Sequence, residues 1–330
     1  MQYQSIYTKC ALVLMALLPV MVGCKKNEYS IPTPKDVLQN DCIKRTQGPN
    51  IVGQIIEFAY AMAIVPEKGK LTAAHVEASI DGGPGTWMEN KSYYTDNTGT
   101  DIGISVGNPS VTTKNVTTVT FNRDTMAATL RYYYVVPEAA RGQTVSFTFS
   151  AESSDGETVT YKMGPYNISK MDLKRNIAVS DNNLAYISIA DMTAYNAADA
   201  AAHAGSIDLV YLYRNYSTSA FNHALVSPAA DTSYLPGIKL PAGVNRSTWE
   251  RREFNLQDYN LAQLQYGIYV DDPDFQQLDL SNAPNYAINL KQDAAVWVET
   301  ADHKYKAYIY VNSVNNTSKS AVLSMKRYAE

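Results

Sequence analysis

The 330-residue sequence has few of the residues on which most catalytic and redox sites depend. It contains three cysteines and four histidines, and it has no Cys-x-x-Cys pair and no His-Glu-x-x-His cluster. A Walker loop and a dinucleotide-binding fingerprint are also absent. The corresponding classes of redox, zinc and nucleotide-dependent enzymes therefore have no support in the sequence, and no metal or cofactor is expected.

Excess charge is lacking as well. The chain has 28 basic and 32 acidic residues, for a formal net charge of −4, and the two signs are well mixed. This balance leaves no basic footprint for nucleic acid. Tyrosine is plentiful instead, at 25 residues, and together with threonine and valine it favours strands over helices. A chain longer than about 250–300 residues is expected to divide into two domains.

Long apolar runs are limited to residues 11–22, which are too short to span a bilayer and are interrupted by Pro19. Such a segment at the N-terminus is typical of a signal peptide, here residues 1–23. It ends in Met21-Val22-Gly23-Cys24, which resembles a bacterial lipobox. That resemblance implies cleavage before Cys24 and a lipid on its sulfur. The alternative is an ordinary signal peptide in which Cys24 is incidental.

The segment after the predicted anchor is polar and contains two prolines. Residues 24–43 are therefore interpreted as a tether that holds the first domain away from the lipid surface. Cys42, the remaining cysteine of the body, has no histidine near it in sequence and is expected to be a buried, inert thiol.

Residues 44–168 alternate between short strand patterns and turn signals. In residues 143–153, hydroxyl residues alternate with Val145, Phe147, Phe149 and Ala151, as in a half-buried strand. Asp155-Gly156 follows, which is a strong hairpin signal. About seven such strands predict an immunoglobulin-like β-sandwich without the usual disulfide.

Residues 169–330 are predicted to form a second β-rich domain, a β-sandwich or an α+β fold, with one or two short helices. Residues 192–204, capped by Asp191, and the Ser-x-x-Glu segment 247–254 are the predicted helices. Residues 206–216 are apolar on both faces, which indicates a central strand with Tyr211 and Tyr213 in the core. In the strand predicted over 304–314, Tyr308 and Tyr310 share a face with polar residues and are candidates for exposure.

Three segments resemble an uncharacterised family of outer-membrane lipoproteins from Bacteroides and relatives. They are FTFSAESSDGETVTYKMGPYNIS (147–169), YISIADMTAYNAADAAAHAGSIDLVYLYR (186–214) and VWVETADHKYKAYIYVNSVN…SAVLSMKRY (296–328). The order of lipobox, tether, immunoglobulin-like domain and β-rich domain fits the same group. The resemblance implies a place near glycan-capture systems at the cell surface, and it carries over no catalytic or binding residue.

Exposed aromatic residues are the best binding candidates, because sugar rings stack their C–H faces on flat π surfaces. Trp87, Tyr93 and Tyr94 follow the turn Gly82-Gly83-Pro84-Gly85, which favours an exposed loop. The alternative is that Trp87 plugs the end of the sandwich core.

A run of carboxylates at Asp271, Asp272 and Asp274 invites two readings. An irregular calcium site is one and a solvated turn is the other, since the spacing does not match an EF-hand loop.

These observations predict a non-catalytic binding or accessory module, lipid-anchored in the outer membrane and facing the cell surface rather than the periplasm. A glycan ligand and an outer-membrane transporter are the expected partners, besides the membrane itself. A structural or adhesive surface lipoprotein is the alternative. A glycoside hydrolase comes third, because two carboxylates brought together by folding leave no motif in the sequence.

Overall fold

The computed structural model describes residues 36–181, 183–215, 220–263 and 267–330. Cys24, the predicted signal peptide and most of the predicted tether lie outside the described residues. Within these ranges no helix is both long enough and apolar enough to cross a membrane.

The first half is a sandwich of two antiparallel sheets, and this confirms the predicted immunoglobulin-like fold. One sheet has the strand order β1-β2-β9-β4, the other has the order β11-β10-β3-β8-β7, and β5 and β6 form a separate hairpin. The strands are β1 (Gln39–Lys44), β2 (Ile55–Ala63), β3 (Leu71–Ala78), β4 (Trp87–Met88), β5 (Lys91–Thr95), β6 (Asp101–Ser105), β7 (Val111–Thr113), β8 (Val116–Thr120), β9 (Ala127–Val135), β10 (Thr144–Ser153) and β11 (Thr158–Asn167).

The core between these two sheets follows from the alternation along their strands. In β10 every second side chain is buried, and Phe147 and Phe149 point inward as the pattern predicts. They meet Phe58 of β2 at centroid distances of 4.7 and 5.3 Å. The turn between β10 and β11 has Gly156 at φ +88°, the left-handed conformation that the Asp-Gly signal requires.

Strand β1 corrects the predicted tether, because its residues 39–43 belong to the sandwich. β1 pairs with β2 from Gln39↔Ala63 to Lys44↔Phe58. Only Leu38 and Cys42 of this segment point into the core, so an edge strand with one mostly polar face resembles a linker in sequence. Burial raises the pKa of Cys42 to about 12, in agreement with an inert thiol.

The second half is also built on two antiparallel sheets that face each other, as predicted for a β-rich domain. Their strand orders are β12-β21-β20-β19-β17 and β14-β13-β15-β16-β18. The strands are β12 (Asp172–Ser180), β13 (Tyr186–Ser188), β14 (Thr193–Tyr195), β15 (Leu209–Asn215), β16 (Ala220–Val226), β17 (Trp249–Phe254), β18 (Tyr286–Leu290), β19 (Ala294–Glu299), β20 (Tyr305–Asn315) and β21 (Ser320–Ala329).

Short helices and loops cover the outer face of each sheet of this second sandwich. They include α1 (Ala197–Ala202), α2 (Tyr259–Ala262) and α3 (Asp272–Gln276). Phe275 of α3 packs on Trp297 and Tyr328 of one sheet, at 5.4 and 5.5 Å between ring centroids. Loop residues including Leu235 and Val244 pack on the other sheet. The central strands of each sheet are therefore buried on both faces.

This double coverage confirms one prediction about tyrosines and overturns another. β15 lies at the centre of its sheet, and Tyr211 and Tyr213 are buried there as predicted. Tyr308 and Tyr310, which were expected to be exposed, are buried as well. The predicted alternation along β20 is correct, and both tyrosines do lie on the same face of the strand. That face is buried because a layer of helices from a distant part of the chain covers it.

The two predicted helices also need correction. The first begins at Ala197 rather than Met192, because Thr193–Tyr195 pair with β13 and Asn196, not Asp191, caps the helix. The second, over residues 247–254, is strand β17. All six of its residues pair with β19, and this pairing overrides the local Ser-x-x-Glu signal.

The two sandwiches meet at a short junction around Ser169. Ser169 N donates to Asn50 O at 2.8 Å, and its hydroxyl donates to Asp272. Ile51 of the first half packs with the apolar layer of the second half that contains Phe275.

Candidate functional site

The outer face of the sheet β1-β2-β9-β4 is open to solvent over much of its area. Large apolar side chains stand exposed across it, with Ile43 on β1, Ile55 on β2 and Trp87 on β4. The second sandwich buries the equivalent faces of its own sheets. A flat, partly apolar face of this kind is where a ligand finds contact area without any rearrangement of the core.

Trp87 is the most prominent side chain on this face. It lies opposite Tyr133 of β9, and the two rings stack with centroids 5.2 Å apart and planes 16° from parallel. The indole is 45% exposed, while the next residue, Met88, points into the core. Trp87 is therefore a surface aromatic, and the alternative of a core plug does not hold.

Glu89 connects Trp87's partner to a third ring. The Tyr133 hydroxyl donates to Glu89 Oε1 at 2.9 Å, and the Tyr93 hydroxyl donates to Glu89 Oε2. Burial and the bond to the carboxylate raise the pKa of Tyr133 to about 12, and the bond to Glu89 also raises the pKa of Tyr93. Both phenols stay protonated at physiological pH, so the carboxylate holds both rings in place.

Arg131 of β9 ties the β5–β6 hairpin to the same face. Its guanidinium lies 4.0 Å from the centroid of the Tyr93 ring and forms an ion pair with Asp101 of β6. It also lies 3.9 Å from Glu57 of β2. The Tyr93 ring therefore lies beside the open sheet. A cation–π contact with Arg131 and a hydrogen bond to Glu89 hold it there.

A groove of about 660 Å³ lies next to the Tyr93 ring. Its floor consists of the small side chains of Ala61, Ala63 and Ala127, and Ser92 and Tyr93 line one side. Thr129 N donates to Ser92 Oγ at 3.0 Å, which anchors the start of the hairpin to β9. We refer to the outer face with Trp87, Tyr133 and Tyr93 as the aromatic platform.

Of the three aromatic residues predicted from sequence, the structure brings Trp87 and Tyr93 together and places Tyr94 elsewhere. Tyr94 pairs with Ile102 on the opposite side of the hairpin, where both side chains are exposed. Sequence reasoning missed Tyr133. The run Tyr132-Tyr133-Tyr134 within a predicted strand held the signal, because alternation must point the middle tyrosine away from the core.

The remaining predicted sites have structural roles. Asp271 and Asp274 form a capping box at the start of α3, and Asp272 binds Ser169 and Lys170 N. Among the described residues, no group of three or more His, Cys, Asp or Glu side chains is arranged to hold a metal ion. By these contacts, Asp271 and Asp274 cap helix α3, and Asp272 holds the junction between the two sandwiches.

One motif with catalytic spacing was overlooked in the sequence. Gly103-Ile104-Ser105-Val106-Gly107 has the Gly-x-Ser-x-Gly pattern of a nucleophile elbow. Such an elbow is a sharp turn between a strand and a helix, whereas residues 101–105 form an antiparallel strand of the hairpin. The match is therefore a coincidence of composition.

Comparisons with known proteins agree with the division into two halves. Residues 35–168 match the family described as Domain of unknown function (DUF4466), and residues 169–330 match Domain of unknown function (DUF8576). No curated protein matches the chain.

Similar solved structures include a DUF4466 family protein from Parabacteroides merdae, which is 43% identical to this chain and superimposes with a TM-score of 0.83. The match covers 90% of this chain and 100% of that protein. The major pilin subunit BcpA of Bacillus cereus is 7% identical with a TM-score of 0.29, over 87% of this chain and 62% of the pilin. At that TM-score the pilin supports no conclusion. The match to the P. merdae protein spans both halves, and the chain therefore belongs to the DUF4466 family.

Proposed function

We propose that this protein is a non-catalytic binding module that captures glycan, and that the aromatic platform is its binding surface. The exposed stack of Trp87 on Tyr133 supports this most directly. The solvent-exposed indole of Trp87 stacks on the Tyr133 ring, which Glu89 holds in place. Together they offer a rigid surface for the C–H face of a sugar. Nearby carboxylate and guanidinium groups supply acceptors and donors for hydroxyls.

The test is affinity electrophoresis of the purified protein through gels that contain amylopectin, galactomannan, xyloglucan or yeast mannan. At least one of these neutral polysaccharides should retard the wild type. Trp87→Ala should lose most of that retardation, because the stack loses its exposed ring. Tyr94→Ala is the matched control, since this exposed tyrosine lies on the other side of the hairpin, and it should migrate like the wild type.

Equal retardation of the Trp87 and Tyr94 variants would contradict the platform as the binding surface. Retardation of the wild type by none of the four polysaccharides would contradict glycan capture.

We also propose that the module is lipid-anchored through Cys24 in the outer membrane, facing the cell surface, and that it works beside an outer-membrane transporter. The lipobox-like sequence supports the anchor. A fatty-acid probe should label the wild type in cells and should not label Cys24→Ser. A labelled variant would rule out this anchor. Protease treatment of intact cells should remove the domain if it faces outward.

A structural or adhesive role is the second candidate, and one observation favours it. Tyr94, Ile102 and Ile104 form an exposed apolar strip on the far side of the β5–β6 hairpin. Adhesion through this strip predicts that Ile104→Asp reduces cell attachment and leaves polysaccharide retardation unchanged. Glycan capture alone predicts no effect on attachment.

A further inference from the structure

A second concave surface lies where the two sandwiches meet. It is a cleft of about 710 Å³, lined by Arg45, Gln47 and Gln54 from the first sandwich and by Tyr259, Asn260 and Tyr269 from the second. Clefts between domains are a preferred place for small-ligand binding, because two walls from different elements surround the ligand.

The two tyrosines of the cleft are held rigidly. Their rings lie 5.0 Å apart with planes 42° from parallel. The Tyr269 ring rests on Gly48, whose φ is +76°, and a Cβ on Gly48 would lie 2.3 Å from Tyr269 Cδ1. Glycine at this position therefore allows the second sandwich to place an aromatic ring directly against the backbone of the first. Both tyrosines remain half-buried and not fully enclosed.

The polar lining of the cleft is mostly uncharged. Gln47 and Gln54 are exposed, and Asn260 Oδ1 is buried with no hydrogen-bond partner in the part of the chain that the structure describes. Arg45 is the charged member, and its guanidinium Nε lies 3.0 Å from Glu57 Oε1, so its charge is balanced. Amide groups that both donate and accept suit a neutral ligand rich in hydroxyls.

A continuous row of side chains connects the cleft to the aromatic platform. Trp87 lies opposite Tyr133, and Tyr133 lies opposite Glu57 in the next strand. Glu57 then binds Arg45 at the rim of the cleft. Neighbouring strands are about 4.8 Å apart, so the row spans roughly 14 Å across the sheet. Side chains from β4, β9 and β2, and from Arg45 just after β1, thus form one track.

We infer that the platform and the interdomain cleft are two subsites of one track for a neutral, linear oligosaccharide. This inference rests on the proposed glycan capture and extends it from a single sugar stack to a chain that crosses the sheet. A short oligosaccharide occupies the platform alone, and a longer one also reaches Tyr259 and Gln47 in the cleft. Affinity therefore rises with chain length until both subsites are filled.

The test uses the purified full chain and size-fractionated oligosaccharides prepared from whichever of the four polysaccharides retards it. Binding is measured by calorimetry with a short and a long fraction. Tyr259→Ala and Gln47→Ala should each weaken binding of the long fraction by roughly three- to tenfold, the range expected for one lost aromatic or polar contact. Neither should change binding of the short fraction. Trp87→Ala should weaken both, and Tyr94→Ala should weaken neither.

These outcomes separate the two proposals. If the cleft variants bind the long fraction as the wild type does while Trp87→Ala weakens both fractions, the cleft is not a subsite and the platform stands. If the cleft variants weaken binding and Trp87→Ala does not, the platform is not the binding surface. Circular dichroism melting of Gln47→Ala checks that the variant is folded. Because Gln47 is exposed, its replacement should leave the melting temperature unchanged.

Discussion

The two sandwiches differ in what lies on the outer faces of their sheets. In the second, helices and loops cover both outer faces, and even Lys326 and Asp258 are fully buried as an ion pair 2.6 Å apart. In the first, the sheet that contains β2 and β9 leaves its outer face open and presents the Trp87–Tyr133 stack to solvent. The covered sandwich is therefore suited to rigidity, and the open one to contact with a ligand.

Tyrosine shows the same difference at the level of single residues. Tyr308, on an outer face of the covered sandwich, is 0% exposed, and its hydroxyl donates to Leu256 O. Tyr133, in the open sandwich, uses its ring for a surface stack and its hydroxyl to bind Glu89. Both tyrosines lie on the outer face of a sheet, and the layer that covers Tyr308 makes the difference between a buried and a surface position.

The largest expected loss of stability comes from truncating a core side chain of the covered sandwich. Tyr211→Ala should lower the free energy of unfolding by about 3–5 kcal/mol, because it leaves a cavity in a sheet that is packed on both faces. Urea denaturation measures the loss. Tyr94→Ala, at an exposed position of the first half, should change stability by no more than about 0.5 kcal/mol. Similar losses in the two variants would break the comparison between covered and open halves.

An intermediate effect should appear as a pH dependence at Glu250, a fully buried carboxyl in β17. Burial raises its pKa well above the usual range, against the opposing effect of the hydrogen bond that Thr248 Oγ1 donates to it at 3.0 Å. The folded state therefore keeps this proton above pH ~4.3, where the unfolded chain releases it. Stability is then lost as pH rises, by up to about 1.4 kcal/mol per pH unit until the folded-state pKa is reached.

Glu250→Gln should remove this loss, so its stability relative to the wild type should grow between pH 4 and pH 7. Denaturation at both pH values measures the change. Glu77→Gln, at an exposed position in β3, is the matched control and should show no such growth. If the stability of the Glu250 variant relative to the wild type does not rise between pH 4 and pH 7, the carboxyl is not held protonated in the folded state.

The smallest effect is expected from Trp87→Ala. Its ring is half exposed, and the stack on Tyr133 contributes about 0.5–1.5 kcal/mol beyond buried area. Trp297→Ala, at a 4% exposed position in β19, should cost about 3–5 kcal/mol. Differential scanning calorimetry of both variants sharpens the comparison. A melting temperature that falls as far for Trp87→Ala as for Trp297→Ala would assign Trp87 to the core and remove it from the platform.

Much of the fold was predictable because strands carry their own pattern. The alternation along β10, the apolar faces of β15 and the turn at Asp155-Gly156 all agree with the structure. β1 was missed because an edge strand buries only one face. β17 was taken for a helix because a capping pattern reports only four residues, while the pairing with β19 involves the whole strand.

The candidate site was predictable only in part, for a related reason. The glycine-rich turn predicted an exposed loop, and Trp87 is exposed, but it lies in strand β4 and not in a loop. Its partners Tyr133 and Arg131 come from β9, and the cleft combines Gln47 with Tyr259 from the other half of the chain. No local pattern records such a juxtaposition, because it depends on sheet order and on how the halves meet.

The sequence by itself determined, for most of the strands, which side chains share a face, since side chains alternate between the two faces along each strand. Only the tertiary structure decided which of those faces meets water. Tyr308 and Tyr133 both lie on the face of a strand that points away from the sandwich core. Helix α3 and its neighbours cover the first, and no described element covers the Trp87–Tyr133 stack. Burial depends on what packs against a face, and those segments lie far away in the chain.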